Sequence, residues 1–139
     1  TMLPNILTAD ELRSKFLAPP FHQWLGLKLL TMNDNDIELS VCWRPEFVVN
    51  VDPGNTHGGI LATLVDIAAD CAVATKVGKA LPTVDMRVDF HRIADKGDLR
   101  IRGKVIRVGR KLATAEAWVM DGAGRIVASG RALFLNSEG

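Results

Sequence analysis

Several features that mark particular classes of protein are scarce in this sequence. Its 139 residues carry a formal net charge of only +1, so no overall field draws nucleic acid or an anionic membrane. Cysteine occurs twice, as Cys42 and Cys71, and both stand among apolar neighbours, which predicts two buried, reduced thiols. No apolar run approaches the ~18 residues of a membrane span, and no secretory leader is recognisable. These absences predict a cytoplasmic protein with neither nucleic-acid nor membrane partners.

Familiar catalytic and metal-binding signatures are also missing. The chain has no Gly-x-Ser-x-Gly elbow, and no serine has a histidine at a suggestive spacing. The two cysteines and three histidines are not spaced as metal ligands. We therefore expect neither a metal ion nor a separate cofactor.

What the sequence does contain is a regular succession of amphipathic and apolar segments. Hydrophobic residues make up 47% and charged residues 24%, which predicts one globular domain over residues 1–139. The capping box TADE starts a predicted helix over about 9–17, which two prolines end. Strands are expected near 26–32 and 37–43.

A second, longer helix is predicted over about 57–77, with Asn55 and Thr56 as candidate caps. It is apolar on nearly every side, so it must be enclosed. After it the hydrophobic period changes to two, which predicts strands near 84–90, 99–105, 114–120 and 126–135. Because their connections are short, these four are expected to form an antiparallel meander. The sum is an α+β fold, a curved six-stranded antiparallel sheet wrapped around one long central helix.

A stripe of polar residues interrupts this apolar helix. Thr63, Asp66 and Asp70 are separated by three and four residues, so they share one helix face. Such a stripe is usually a solvated edge; the alternative is that it lines a site. The two aspartates stand one turn apart, and in a partly desolvated cleft their repulsion disfavours ionising both.

His57-Gly58-Gly59 stands at the predicted start of the same helix. A pair of glycines is often no more than a tight turn. Glycine also lets a ligand approach N–H groups that have no partner inside the helix, and these groups can stabilise an oxyanion. Asp66 lies ~12 Å further along the axis, too far to reach the same carbonyl. A site that uses both therefore requires two copies of the chain.

The segments HGGILATLVDIAAD, PTVDMRVDFHR and GDLRIRGKVIRVGRK resemble the hotdog-fold acyl-CoA thioesterases of the phenylacetic-acid-degradation type. The resemblance covers residues 21–135, almost the whole chain. It implies a hotdog fold, hydrolysis of an acyl-CoA, and homodimers with a continuous sheet that often pair again into tetramers. It also implies an active site at the dimer interface.

The resemblance gives individual residues a role. Asp66 takes the place of the family's helix carboxylate, which is the nucleophile or the general base toward the thioester carbonyl. The backbone N–H of Gly58 binds the thioester oxygen, Gly59 is expected beside the substrate, and His57 orients the helix start and polarises the site. Thr83 takes the place of a hydroxyl that helps to hold water.

Two family positions are altered in this chain. The family asparagine that precedes the glycine pair falls at Val51, so we expect Asn50 to serve after a one-residue insertion, with Asn55 second. The family's Arg-Pro after the next strand is Arg92-Ile93, so the proline is missing.

Basic residues are available for the phosphates of coenzyme A, which suit Arg and Lys. Arg107, Arg110 and Lys111 surround a glycine at one strand end, and Arg92 ends what we expect to be a neighbouring strand. The same residues can equally form a solvated hairpin. Asp70, at the far end of the polar stripe, is expected to border the substrate.

Other interpretations stay open at this point. Phe21 and Trp24 are expected either to wall an acyl pocket or to pack in the core. A non-catalytic acyl-CoA-binding module would keep the basic residues and the pocket without needing Asp66. A hotdog hydratase or dehydratase would need a catalytic histidine paired with an acidic residue, a motif that we do not find.

Overall fold

The computed structural model describes residues 3–137. Its helices are α1 (Ala9–Leu12), which continues as a π-helical turn (Arg13–Leu17), α2 (Pro20–Leu25), a 3-10 turn (Pro45–Phe47) and the long α3 (Gly58–Val77). Its strands are β1 (Lys28–Met32), β2 (Ile37–Val41), β3 (Thr83–Phe90), β4 (Leu99–Val108), β5 (Leu112–Met120) and β6 (Ile126–Leu135).

The strands form one antiparallel sheet in the order β1-β2-β4-β5-β6-β3, and α3 packs against β2 to β6. The apolar side chains of α3 are buried against the sheet, with Leu64, Val65 and Val73 almost fully enclosed. Such burial is the main force that holds a helix on a sheet. The expected α+β hotdog fold, six antiparallel strands around one long helix, is confirmed.

Two glycines allow the sheet to approach the helix closely. A Cβ on Gly103 in β4 would overlap the backbone carbonyl of Ala68 in α3. A Cβ on Gly130 in β6 would lie 2.8 Å from Cγ1 of Val65 and would overlap the carbonyl of Arg87 in β3. Larger residues at 103 and 130 would therefore push the helix away from the middle of the sheet.

The expected meander of the last four strands is wrong at its first step. β3 pairs with β6 at one edge of the sheet, whereas β4 lies in the middle between β2 and β5. The chain from 91 to 98 crosses the end of the sheet, where the carbonyl of Ala94 accepts a hydrogen bond from Thr56 N–H (3.0 Å) and a carboxylate oxygen of Asp98 accepts one from Trp43 N–H (2.7 Å). Local turn residues predict a change of direction, but they do not determine which strand lies alongside.

The N-terminal segment combines a confirmed helix with one that the sequence pattern missed. Thr8 and Glu11 form the expected capping box, with Glu11 N–H on the Thr8 hydroxyl and Thr8 N–H on the Glu11 carboxylate. The missed element is α2, which begins at Pro20 and ends at Leu25, and Gly26 directly after it has the left-handed conformation (φ 75°). Proline at a helix start and glycine after its end are the usual signals, and they were present.

The two cysteines differ in their surroundings. Cys71 in α3 is buried, as expected, whereas Cys42 is exposed just after β2, so its predicted burial is wrong. β2 ends at Val41, and the chain beyond it lies outside the sheet, so the apolar neighbours of Cys42 do not enclose it. Among residues 3–137 no helix is long and apolar enough to cross a membrane.

Candidate functional site

The start of α3 is organised by His57. Its Nδ1 accepts a hydrogen bond from Gly59 N–H (2.9 Å), and its carbonyl accepts from Ile60 and Leu61 N–H (3.0 and 3.2 Å). His57 is therefore the N-cap, and the expectation of Asn55 or Thr56 as cap is wrong. The reason is that a bridge between Val48 and Thr56 holds the preceding chain extended up to His57.

This capping leaves one N–H group available at the helix start. Within the described part of the chain, the N–H of Gly58 has no hydrogen-bond acceptor, whereas that of Gly59 is taken by His57. A free N–H at a helix start carries the positive end of the helix dipole. Of the two glycines, Gly58 is thus the one whose backbone can bind a developing oxyanion.

A cavity of about 470 Å³ opens beside Gly58. The Phe90 ring forms one wall, and a Cβ built on Gly58 would lie 3.4 Å from this ring. Asn55 and Arg92 also line the cavity. Glycine at 58 keeps the space next to the free N–H open.

The polar stripe of α3 borders a second cavity, of about 370 Å³. Asp66 and Asp70 lie on its wall together with Thr63, and most of the remaining lining is apolar: Phe16, Phe21, Ala62, Ile67, Cys71, Ala80 and Met86. The hydroxyl of Thr83, the first residue of β3, donates to Oδ1 of Asp66 (2.7 Å). The stripe therefore lines a pocket, and one of its carboxylates is held in place by a hydroxyl group.

Burial raises the pKa values of two groups on the wall of this pocket, Asp70 and Cys71. Burial raises the pKa of Asp70 to about 6, with the nearby charge of Asp66 acting in the same direction and the N–H of Leu81 acting against it. Burial likewise raises the pKa of the Cys71 thiol to about 12. Cys71 is therefore a thiol rather than a thiolate at neutral pH, and it lacks the reactivity of a nucleophile.

Within one chain the two cavities are separate. They have no lining residue in common, and Asp66 follows Gly58 by two helical turns, or ~12 Å. The structure thus brings Asp66 together with Thr83 and Asp70, and Gly58 together with Phe90, Asn55 and Arg92. It does not bring Asp66 to Gly58 inside a single copy.

The remaining predicted residues are distributed over both ends of the sheet. Asn50 is exposed and begins a tight turn in which its carbonyl accepts from Gly54 N–H (3.1 Å); it lines neither cavity. Arg107, Arg110 and Lys111 cluster at the β4–β5 hairpin, where Asn136 Nδ2 donates to the carbonyl of Gly109 (2.7 Å). Because β3 is not next to β4, the expected neighbourhood of Arg92 and this cluster is wrong within one chain.

Sequence reasoning missed His22 and Phe16 on the wall of the Asp66 pocket. His22 lies on its wall, and its Nδ1 donates to the carbonyl of Phe16 (2.5 Å). Phe21 and Trp24 were expected either to wall a pocket or to pack in the core; Phe21 lines this pocket and Trp24 stacks on it at a ring distance of 6.3 Å, so both stand outside the core. The signal that could have placed these residues on a helix was Pro20 at the start of α2 and Gly26 after its end.

A serine–histidine contact was missed as well, because it joins two strands. Nε2 of His91 lies 2.7 Å from the hydroxyl of Ser129. The pair lies beside the sheet, where the neighbouring backbone N–H groups take part in the pairing of β3, β5 and β6. Among residues 3–137 no group of three or more His, Cys, Asp or Glu side chains could hold a metal ion.

The comparison with known proteins identifies the family of the chain. The family model described as "Thioesterase superfamily" matches residues 53–128, which include both halves of the site. The chain is 48% identical to a protein of solved structure from the thioesterase superfamily, with a TM-score of 0.87 and coverage of 91% of this chain and 96% of that one.

Two further relatives are more distant. Zebrafish thioesterase superfamily member 2 is 26% identical, with a TM-score of 0.76 and coverage of 91% of this chain and 93% of that one. The medium/long-chain acyl-CoA thioesterase YigI of Salmonella typhimurium is 25% identical over 131 residues, 84% of each chain. With the hotdog fold, the glycine pair at the start of α3 and the matched family model, the chain belongs to the thioesterase superfamily.

Proposed function

We propose that the protein hydrolyses the thioester of a small acyl- or aryl-acyl-CoA to the free acid and coenzyme A. The observation that carries this proposal is the carboxylate of Asp66, fixed by Thr83 at 2.7 Å on the wall of a largely apolar cavity. Such a carboxylate can attack a thioester carbonyl or take a proton from water. The acyl-CoA thioesterase YigI, similar over 84% of the chain, supports the same reaction.

The complete site would form between two copies of the chain. β3 is the last strand of the sheet, so within residues 3–137 one of its edges has no strand partner, and Val84 and Phe90 on it are exposed. A two-fold axis at this edge would pair β3 antiparallel with β3 of a second copy. The start of one β3, with Thr83 and Asp66, would then meet the end of the other, with Phe90 and Gly58.

In this arrangement the chemistry is that of a shared acyl-transfer site. In the general-base route, Asp66 takes a proton from water as the water oxygen attacks the carbonyl carbon, and the oxyanion binds the N–H of Gly58 from the partner. Collapse of the tetrahedral intermediate breaks the C–S bond and expels the thiolate of coenzyme A, which takes up a proton. In the nucleophile route, a carboxylate oxygen of Asp66 attacks the carbonyl carbon, the C–S bond breaks as the thiolate of coenzyme A leaves and takes up a proton, and water then hydrolyses the acyl anhydride to the free acid and the Asp66 carboxylate. Both routes need the ionised carboxylate and the Gly58 donor.

The basic residues are suited to the phosphates of coenzyme A in the same dimer. Arg92 lies at the Phe90 end of β3, and Arg107, Arg110 and Lys111 lie at the Thr83 end of the sheet. Antiparallel pairing of the two β3 strands would bring Arg92 of one copy and the hairpin of the other to the same end of the combined sheet. They would be a few strand spacings of ~4.8 Å apart, a distance that coenzyme A can span.

The aromatic residues Phe16 and Phe21 on the pocket wall support an aryl-acyl group, as in the phenylacetic-acid-degradation type. The proposal includes a second pairing of dimers into tetramers and a cytoplasmic location. Of the two candidate asparagines, the position of Asn55 in the Gly58 cavity supports it as the residue that helps to orient water.

The test is thioester hydrolysis on a panel of aliphatic and aryl-acyl-CoAs, measured by thiol release, with parent protein and Asp66→Asn. We expect release of coenzyme A by the parent and a kcat lower by about 10²-fold or more in the variant, as for loss of a base or nucleophile. Fold and coenzyme A binding should survive, because Asn can still accept the Thr83 hydroxyl.

The same panel separates the rival functions. Binding of acyl-CoA without thiol release would indicate a non-catalytic binding module. Loss or gain of enoyl absorbance without thiol release would indicate a hydratase or dehydratase. Near-normal turnover of Asp66→Asn would remove Asp66 from the mechanism.

A further inference from the structure

We propose that Asp70 is a positioning residue that sets Thr83 against Asp66 through the backbone of Leu81. The proposal rests on the proposed function, because it concerns how the Asp66 carboxylate is held. Asp70 itself need not touch the substrate.

Two hydrogen bonds join α3 to the chain that enters β3. Thr83 Oγ1 donates to Asp66 Oδ1 (2.7 Å), and Leu81 N–H donates to Asp70 Oδ1 (3.2 Å). Asp66 and Asp70 are four helical residues apart, an axial distance of ~6 Å. Leu81 and Thr83 are two residues apart, which in an extended chain is ~6.6 Å. The two bonds therefore match in spacing and run side by side.

The Leu81 bond adds to the strand pairing of Thr83, whose backbone lies opposite Phe134 of β6. The Thr83 side chain is exposed, and the pairing of β3 with β6 has an irregular register directly after Thr83, between this residue and Asp85. Pro82 has no N–H group, although its carbonyl accepts from Leu135 N–H (2.9 Å). The buried Leu81, bound to Asp70, thus fixes the chain against α3 two residues before Thr83.

The Asp70 carboxylate is well placed for this task alone. It borders the pocket at the far end of the stripe, and among the described residues no Lys or Arg lines this pocket. An interaction of Asp70 with the Leu81 N–H needs only an oxygen acceptor. Asparagine supplies one, and alanine does not.

The experiment is a double-mutant cycle with thioester hydrolysis as readout. Asp70→Ala should lower kcat about tenfold with little change in KM, the size expected when one hydrogen bond that orders the site is lost. Asp70→Asn should recover kcat to within about threefold of the parent, because it keeps the acceptor. In a Thr83→Ala background, Asp70→Ala should add less than about twofold, because the two residues act through the same contact.

Asp36→Ala is the matched control. It removes a half-buried carboxylate, bound to Arg102 Nε at 2.7 Å, in the turn between β1 and β2 at the opposite edge of the sheet. It should lower stability and leave kcat unchanged. If Asp70→Ala does not fold, Asp70→Ser replaces it, since the shorter side chain does not reach Leu81 N–H.

Three outcomes would overturn the proposal. An equal effect of Asp70→Ala with and without Thr83 would show that the residues act independently. If Asp70→Asn were as slow as Asp70→Ala, the negative charge of Asp70, and not its oxygen acceptor, would be what kcat depends on. A rise in KM that depends on the acyl group would show direct substrate contact. All three leave the proposed function intact, since that function fails if the parent protein releases no thiol from any acyl-CoA of the panel.

Discussion

His57 shows how the side chain of one residue decides which backbone N–H group at a helix start stays free. Its imidazole caps α3 by accepting from Gly59 N–H, which leaves the N–H of Gly58 free. The positions of the glycine pair and of the polar stripe on α3 could be predicted from the spacing of these residues in the sequence. The identity of the cap did not, because capping depends on the path of the preceding loop, and the bridge of Val48 to Thr56 that determines this path is non-local.

At the same scale, the ionised Asp70 carboxylate lowers the free energy of unfolding, by an amount that depends on pH. Its pKa is raised from 3.8 to about 6 by burial, with Asp66 adding repulsion, while His22 and Cys71 also line the pocket. A raised carboxyl pKa means that the folded state binds the proton more tightly than the unfolded state. Stability is therefore lost as the pH rises from about 4 through about 6.

Asp70→Asn should remove this loss. We expect the variant to be more stable than the parent by up to about 2 kcal/mol at pH 8, and the difference to vanish near pH 4. Urea denaturation at the two pH values measures it. Asp36→Asn, which weakens an ion pair with Arg102, should instead be less stable than the parent at pH 8. A gain of equal size at both pH values would contradict the assignment to charge.

At the scale of elements, the fold depends on a close approach between α3 and the middle strands. The periods of two and 3.6 in the sequence were sufficient to predict α3 and all six strands to within a few residues. They did not predict that β3 lies at the edge beside β6, since strand order is set by long-range packing of the sheet on the helix.

Gly103 offers a direct test of this packing. A methyl group at 103 would overlap the carbonyl of Ala68, a backbone atom that can move only with the helix. Gly103→Ala should therefore lower the free energy of unfolding by about 2 kcal/mol or more. Gly122→Ala is the control, because a Cβ at 122 meets no atom within 4 Å. It should change stability by less than about 0.5 kcal/mol. Equal effects of the two substitutions in thermal or urea unfolding would argue against a tight contact at 103.

At the scale of the whole molecule, the separation of the two cavities predicts complementation between inactive variants. Asp66→Asn removes the carboxylate, and Gly58→Pro removes the N–H donor. Proline is acceptable at 58, since it would be the first residue of α3 and His57 is extended (φ −62°, ψ 138°). Each variant alone should be inactive. Mixed dimers should regain up to about a quarter of the parent's activity, because one of the two sites in a mixed dimer is intact and half the dimers are mixed at equal ratio.

Subunit exchange must be verified by mass measurement of differently tagged chains. Full exchange without recovered turnover would mean that the site lies within one chain. In that case Asp66 and Gly58 could not act on the same carbonyl, and the dimer model would be wrong.

The length of β3 has a further consequence in the proposed dimer. Its eight residues separate Thr83, which holds Asp66, from Phe90, which borders Gly58. Two antiparallel copies of the strand bring opposite ends together only if their register is correct. Inserting two residues would keep the alternation of faces but lengthen the strand by ~6.8 Å. Because α3 would keep its length, Thr83 and Phe90 could then no longer lie beside Asp66 and Gly58 at the same time, and both sites of the dimer would lose their geometry. The number of residues in β3 thus determines the spacing of the reactive groups, although β3 itself supplies only one of them, the Thr83 hydroxyl.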